Sequence, residues 1–241
     1  MKFIAVIPAR WQSSRFPGKP LALLHKKPVI QHVYENVLQS CLFQEVIVAT
    51  DSEKIRDAVL KFNGIVEMTE PDHPSGTDRI AEVCLRHDFD VVVNVQGDEP
   101  FITTEPLRKL TAAFLDEKVE VASLMHKISL RIDDPNQVKV VCDNNGNALY
   151  FSRSLIPYNR DNNPDVDYFG HVGVYAFRKE TLYKFIALPQ GKLEIAEKLE
   201  QLRLLENGIP IKMILTTYSG FGIDTPKNLK DAQKILISSI N

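Results

Sequence analysis

The chain has 241 residues, 44% of them hydrophobic, with 29 Lys and Arg against 31 Asp and Glu. That length suits one or two domains and buries a core without disulfides or metals. The formal charge of −2 carries no electrostatic footprint for nucleic acid or for an acidic membrane surface, so a small ligand is the expected partner.

The first predicted strand, Phe3–Ile7, runs straight into Pro8-Ala9-Arg10-Trp11-Gln12-Ser13-Ser14-Arg15-Phe16-Pro17-Gly18-Lys19-Pro20. Open α/β sheets bind ligands at the carboxyl ends of their strands. Arg10, Arg15 and Lys19 on one such loop suit a polyphosphate, the guanidinium as a fork and the ammonium as a point charge. An ordinary solvated basic loop is the alternative at this stage.

A helix near Val29–Ser40, a strand over Glu45–Thr50, a helix near Glu53–Phe62 and a strand over Ile65–Met68 follow. Asp51 ends the strand Glu45–Thr50 without a preceding GxGxxG, so capping by Asp51 or Ser52 is the expectation rather than ribose binding. The stretch Glu70-Pro71-Asp72-His73-Pro74-Ser75-Gly76-Thr77-Asp78-Arg79 enters a helix near Asp78–His87. Ser75 and Asp78 loosely fit a capping box; the same helix start could read the polar edge of a base.

Strand Val91–Val95 ends in Gln96-Gly97-Asp98-Glu99-Pro100. That places Asp98 on the edge that carries the cationic loop, and Gly97 would let backbone approach a ligand. A carboxylate facing a polyphosphate repels it unless a divalent cation lies between them, so Asp98 points to Mg2+. A capping or loop acid is the competing explanation.

A helix near Glu105–Asp116 completes the alternating half, the signature of a mostly parallel sheet with helices on both faces. After Val119 strands crowd together: Val121–Ile128, Val138–Cys142 and Ala148–Ser152, the last two joined by the turn Asp143-Asn144-Asn145-Gly146. Arg160–Asp165 reads as a polar loop. Strand His171–Phe177, helices near Lys179–Ile186 and Leu193–Glu206, strand Ile211–Thr216 and a helix near Pro226–Ile240 close the chain. Before that last helix, Asp224 in Gly222-Ile223-Asp224-Thr225-Pro226 is either a second metal carboxylate or a cap.

The expected fold is therefore α/β, a Rossmann-like mostly parallel mixed sheet with a small β-rich insertion. Residues 1–241 are expected as one domain, with a β-rich subregion over roughly 120–178. Cys41, Cys84 and Cys142 lack CxxC spacing and are expected as free buried thiols, and the six histidines lack zinc-ligand spacing. No Walker motif is present. No run approaches the ~18 apolar residues of a membrane helix, and no apolar leader precedes the first strand, so a cytoplasmic protein is expected.

Taken together, Pro8–Pro20, Ser75–Arg79, Asn94–Pro100, Ala148–Pro157, Leu199–Leu202 and Gly222–Pro226 resemble the nucleotidyltransferases that activate acidic sugars. The similarity is greatest to the 3-deoxy-manno-octulosonate (Kdo) cytidylyltransferases of lipopolysaccharide biosynthesis. Asn-Val-Gln-Gly-Asp-Glu-Pro, Leu-Tyr-Phe-Ser-Arg and Leu-Glu-Gln-Leu-Arg, in that order, are its specific motifs.

The resemblance implies that Arg10, Arg15 and Lys19, with Ser13, hold the phosphates of CTP, and that Asp72, Ser75 and Arg79 read the cytosine. It implies Asp98 and Asp224 as Mg2+ ligands, and Gln96, Arg153, His171, Tyr175, Glu200 and Gln201 as the sugar pocket. Arg10, Arg15, Lys19 and Asp98 become the catalytic set, Kdo the acceptor, and a homodimer the assembly. Phe169-Gly170 stands where such enzymes usually place a basic residue before His171. The alternatives are another acidic sugar, such as 8-amino-Kdo or a sialic acid, or a non-catalytic nucleotide-binding module.

Overall fold

The computed structural model describes residues 1–12 and 15–240. In chain order the elements begin with β1 (Phe3–Pro8), β2 (Leu23–Leu24), β3 (Lys27–Pro28), α1 (Val29–Gln39), β4 (Glu45–Thr50), α2 (Glu53–Lys61) and β5 (Ile65–Met68). Next come α3 (Gly76–Cys84), β6 (Val91–Asn94), α4 (Thr104–Ala112), β7 (Val121–Ile128), β8 (Lys139–Cys142) and β9 (Ala148–Ser152). The remainder is β10 (Tyr168–Arg178), α5 (Lys179–Ala187), α6 (Lys192–Glu197), α7 (Leu202–Glu206), β11 (Ile211–Leu215) and α8 (Pro226–Ile240). The strands make an α/β fold with a mostly parallel mixed sheet, as expected.

The chain separates into two compact units, Met1–Leu107 with Gly220–Asn241, and Arg108–Ser219. In the first, β1 lies between β4 and β6, with Ile4 opposite Glu45 and Val92, and β5 pairs parallel with β4. Strand β6 is buried along its whole length, which is why Val91–Val93 read as an apolar run without alternation. Parallel pairing aligns the carboxyl ends of β1, β4 and β6, so the loops after Pro8, Thr50 and Asn94 emerge on one edge. The last segment of the chain returns to this unit, where Ile223 and Ala232 join Leu24 and Val29 in a buried cluster against which Phe16, Phe101 and Phe221 pack.

In the second unit β11 runs parallel to β7, whereas β7–β10, β10–β8 and β8–β9 are antiparallel. The Asp143 turn forms the expected hairpin, its Oδ1 accepting from the backbone N–H groups of Asn145 and Asn147. The region expected as β-rich falls inside this unit.

Three expectations are corrected. The single helix near Leu193–Glu206 is two, because Lys198 turns into the left-handed region (φ 54°) and ends α6. The helix near Glu105–Asp116 stops at Ala112 and continues as a 3-10 turn over Ala113–Leu115. Cys41 is exposed rather than buried, although Cys84 is buried as expected. The hairpin β2–β3 and a 3-10 turn over Lys19–Leu21 carried no clear sequence signal.

Candidate functional site

Two local devices bring the cationic loop to the carboxyl edge of the first unit. Gly18 passes through the left-handed region (φ 69°) and starts the 3-10 turn Lys19–Leu21, and its N–H donates to the Trp11 carbonyl at 2.9 Å. The loop after β6 is drawn under it: a Cβ at Gly97 would sit 2.7 Å from the Pro8 carbonyl oxygen. The loop thus makes a close backbone approach to β1 at Gly97, which also lines the cavity of this site.

The Asp224 segment is tied to the same loop. Ile223 N–H donates to the Asp98 carbonyl at 2.9 Å, and Phe221 N–H donates to Glu99 Oε2 at 2.8 Å. Thr225, not Asp224, caps α8, its Oγ1 accepting from Asn228 N–H at 3.2 Å. That leaves the Asp224 carboxylate to face the cations.

The result is a cavity of about 480 Å³ lined by Arg10, Arg15, Lys19, Gln96, Asp98 and Asp224, among others. Lys19 Nζ donates to Asp98 Oδ2 and, at 3.0 Å, to Asp224 Oδ1, while Arg15 Nη2 lies 2.9 Å from Asp224 Oδ2. Burial of Lys19 opposes its charge, but Asp98 and then Asp224 outweigh that and raise its pKa. Three cations against two carboxylates leave a net positive cavity, which suits a highly charged anion. Two carboxylate oxygens converging on one cation is also the hard-oxygen donor set that divalent ions take. No cluster of three or more metal-binding side chains occurs among the described residues, so further ligands to such an ion would come from the bound anion.

Ser75 caps α3, accepting from the backbone of Thr77 and Asp78 at 3.1 Å each. Arg79 is wholly buried, and its guanidinium donates to Thr69 Oγ1 and to the carbonyls of Glu70 (3.2 Å) and Pro71 (3.3 Å). Its contribution is to fix the backbone before α3, with Asp72 exposed beside it. Asp51, expected as a cap, instead faces Arg79 Nη1 at 3.5 Å. Ser13 lies outside the described residues.

Of the other expected residues, His171 and Tyr175 pack together in the second unit. His171 Nε2 meets Ser123 Oγ at 2.9 Å, and the His171 ring lies between Phe151 and Tyr175, with centroids 5.1 and 5.3 Å away. Burial pushes the His171 pKa down to about 3, and burial, then the Glu200 charge, raises that of Tyr175. Ser123 Oγ also lies 3.0 Å from the Val174 carbonyl. If its one proton goes there, the neutral imidazole donates from Nε2.

Arg153 is committed to main-chain acceptors: Nε donates to the Glu197 carbonyl (2.8 Å), Nη1 to Pro135 (3.1 Å) and Nη2 to Lys198 (3.4 Å). It caps the carboxyl end of α6 where Lys198 breaks the helix. Gln201 begins the next turn with its Nε2 buried and without a hydrogen-bond partner among the described residues. An unsatisfied buried donor is costly unless a ligand meets it. Gln96 Nε2 donates to Asn94 Oδ1 at 3.2 Å in the first unit. The glycine at 170 has a physical cause, since it pairs with His126 and a Cβ there would lie 2.7 Å from His126 Nε2.

Sequence reasoning missed Lys139, which is fully buried and donates to the Arg153 carbonyl at 2.6 Å. A lone lysine in an apolar strand run, Val138–Cys142, was its only signal.

A family profile described as cytidylyltransferase matches residues 4–214. A 3-deoxy-manno-octulosonate cytidylyltransferase of Flavobacterium johnsoniae is 49% identical, covering 98% of this chain and 99% of its own. Its namesake in Lawsonia intracellularis is 46% identical over 97% of this chain and 94% of its own. Among solved structures, a CMP:2-keto-3-deoxy-manno-octonic acid synthetase complexed with CTP superposes with a TM-score of 0.96 at 44% identity, covering 99% of this chain and 100% of that one. A 4-diphosphocytidyl-2C-methyl-D-erythritol synthase of Anaerococcus prevotii shares the fold at a TM-score of 0.65 and 17% identity, covering 98% of this chain and 99% of its own.

Proposed function

The chain belongs to the cytidylyltransferase family, and on that premise we propose that it transfers CMP from CTP to Kdo. The products are CMP-Kdo and pyrophosphate, the activated sugar serving lipopolysaccharide assembly. Carrying this reading is one observation: Lys19 sits between Asp98 and Asp224 in a cavity that Arg10 and Arg15 also line.

Arg10, Arg15 and Lys19 hold the triphosphate, with Ser13 as a further contact. They orient the α-phosphorus for in-line attack by the anomeric hydroxyl and meet the charge that develops on the leaving pyrophosphate. Asp98 and Asp224 are the residues that would hold Mg2+, and their convergence on a single cation fits that ion. When bound there, the ion supplies Lewis-acid polarisation of the phosphate and neutralises charge. Asp72, Ser75 and the backbone that Arg79 fixes face the cytosine.

On the acceptor side, the buried amide of Gln201, with Glu200, Tyr175, His171, Arg153 and Gln96, recognises the sugar. A His171 pKa near 3 makes this imidazole a neutral hydrogen-bonding group rather than a general base. Its donor is shared with Ser123, which orients the ring. The family resemblance carries with it a cytoplasmic reaction and a homodimer. Among the described residues no helix is long and apolar enough to cross a membrane.

A second acceptor, such as 8-amino-Kdo, is favoured by one feature, the Gly170 and His126 pairing in place of a basic residue before His171. Pyrophosphate release measured with CTP across Kdo, 8-amino-Kdo and a sialic acid decides between them. Highest kcat/KM with Kdo is expected; a preference for another sugar would reassign the acceptor, and nucleotide binding without release would reject the enzyme.

A further inference from the structure

Among the described residues Lys139 is the one lysine buried to 0% exposure, and its surroundings explain neither its charge nor its cost by packing alone. Burying an ammonium costs several kcal/mol after relaxation, yet among the described residues Lys139 hydrogen-bonds to no carboxylate. Its Nζ donates to two main-chain carbonyls, Arg153 at 2.6 Å and Asp134 at 3.0 Å. Burial lowers its pKa, while the charges of Asp134, Asp133 and Glu197 support the cation.

Those carbonyls belong to segments that Arg153 joins. Its guanidinium donates to Pro135, Glu197 and Lys198, the last two at the break between α6 and α7. The Glu197 carboxylate closes the circuit, accepting from Ser152 Oγ at 2.6 Å and from Arg153 N–H at 3.0 Å. Two cations thus hold five carbonyls from three separate stretches of chain. Ser152 is the strand partner of Lys139, so the clamp is anchored in the β8–β9 ladder. At its far end the chain enters α7 with Glu200 and Gln201, the latter with its buried donor unmet.

We propose that Lys139 is a positioning residue for acceptor recognition: it fixes the Arg153 backbone, and through the Arg153 fork it sets the α6–α7 break that presents Glu200 and Gln201. A break made by a left-handed Lys198 (φ 54°) is intrinsically strained for a residue with a side chain. Cationic donors on both of its last carbonyls are what hold it. An apolar side chain at 139 would pack but would take away the ammonium that the Arg153 carbonyl accepts from, while the Asp134 carbonyl would keep the Gln137 N–H.

This inference rests on the reading that Arg153, Glu200 and Gln201 meet the acceptor, and the test separates the two. Lys139→Met, Lys139→Gln and Gln201→Ala are compared with the unaltered enzyme in steady-state assays with CTP and Kdo. Amide exchange is followed across 198–203 and across the loop after β1. For Lys139→Met the acceptor KM rises about tenfold or more, the scale of a small misplacement of binding groups. The CTP KM stays within about twofold. Exchange quickens across 198–203 and not in the loop after β1. Lys139→Gln, whose amide still donates, falls between, and it decides the matter by the same criteria if Lys139→Met does not fold. A folded variant with an unchanged acceptor KM, or with both KM values raised equally, overturns the positioning role while Gln201→Ala still raises the acceptor KM. An unchanged acceptor KM in Gln201→Ala overturns the acceptor reading itself, and the positioning role with it.

Discussion

Replacing Asp98 by Asn changes one charge while keeping the side chain's size and one acceptor oxygen. In the free protein that carboxylate is an ion-pair partner of Lys19, with both side chains only about one-fifth exposed (20% and 18%). Asp224, 3.0 Å from the same ammonium, remains as its counter-charge. The stability loss is therefore expected to be small, about 1 kcal/mol, and the fold intact. Catalysis has no such reserve, because removing one of two carboxylates leaves a single acid in a cavity with three cations. The expected loss is at least ~10²-fold in kcat, the scale of deleting one preorganised electrostatic group. Coupled pyrophosphate release at saturating CTP, Kdo and Mg2+ measures kcat, and thermal unfolding measures stability. Turnover near that of the unaltered enzyme at saturating Mg2+ would refute the role given to Asp98.

Arg153→Ala is expected to raise the KM for the sugar more than that for CTP, since it frees the α6–α7 break; equal effects in the same assay would contradict an acceptor-side role. His171, with a folded pKa of about 3 against an unfolded value of ~6.5, contributes stability that is complete above pH ~6.5 and lost as pH falls toward 3. Urea titrations from pH 4 to 7 should show a slope shallower in His171→Gln by up to ~1.4 kcal/mol per pH unit, and parallel curves would refute the buried neutral imidazole. Gly97→Ala places a methyl 2.7 Å from the Pro8 carbonyl, and overpacking of this kind costs ~1–3 kcal/mol; an unchanged melting temperature would show that the loop is not held against β1.

Much of this was legible where local chemistry and tertiary structure agree. Phe3–Pro8 and Val91–Val93 are apolar without alternation because both faces of a central parallel strand are covered. The Asp143 turn carries its own hydrogen bonds, so the hairpin is written in five residues. Lys19 and Asp98 were placed on one edge by topology alone. Asp224 was ambiguous, because a carboxylate two residues before a helix looks the same whether it caps or faces a ligand. Only the fold shows Thr225 doing the capping.

Other features depend on contacts distant in sequence. The break at Lys198 is invisible in a periodic helical pattern, being held by Arg153, just after β9, and by the buried fork of Arg203 on Glu194 at 2.6 and 2.7 Å. Arg79, which the resemblance assigns to the cytosine side, is instead enclosed by three acceptors from residues 69–71 that its own helix does not announce. Lys139 in a strand resembles a solvent-facing residue, and nothing near it in sequence announces the carbonyl of Arg153.

The central claim is that this chain transfers CMP from CTP to Kdo and that the transfer requires Asp98. Phosphorus NMR of CTP incubated with Kdo, Mg2+ and the protein tests it most directly. One CMP-Kdo phosphodiester signal should appear for each pyrophosphate released, with neither formed by Asp98→Asn on the same timescale. CTP that persists unchanged, or pyrophosphate released without a sugar-linked CMP, would contradict the account.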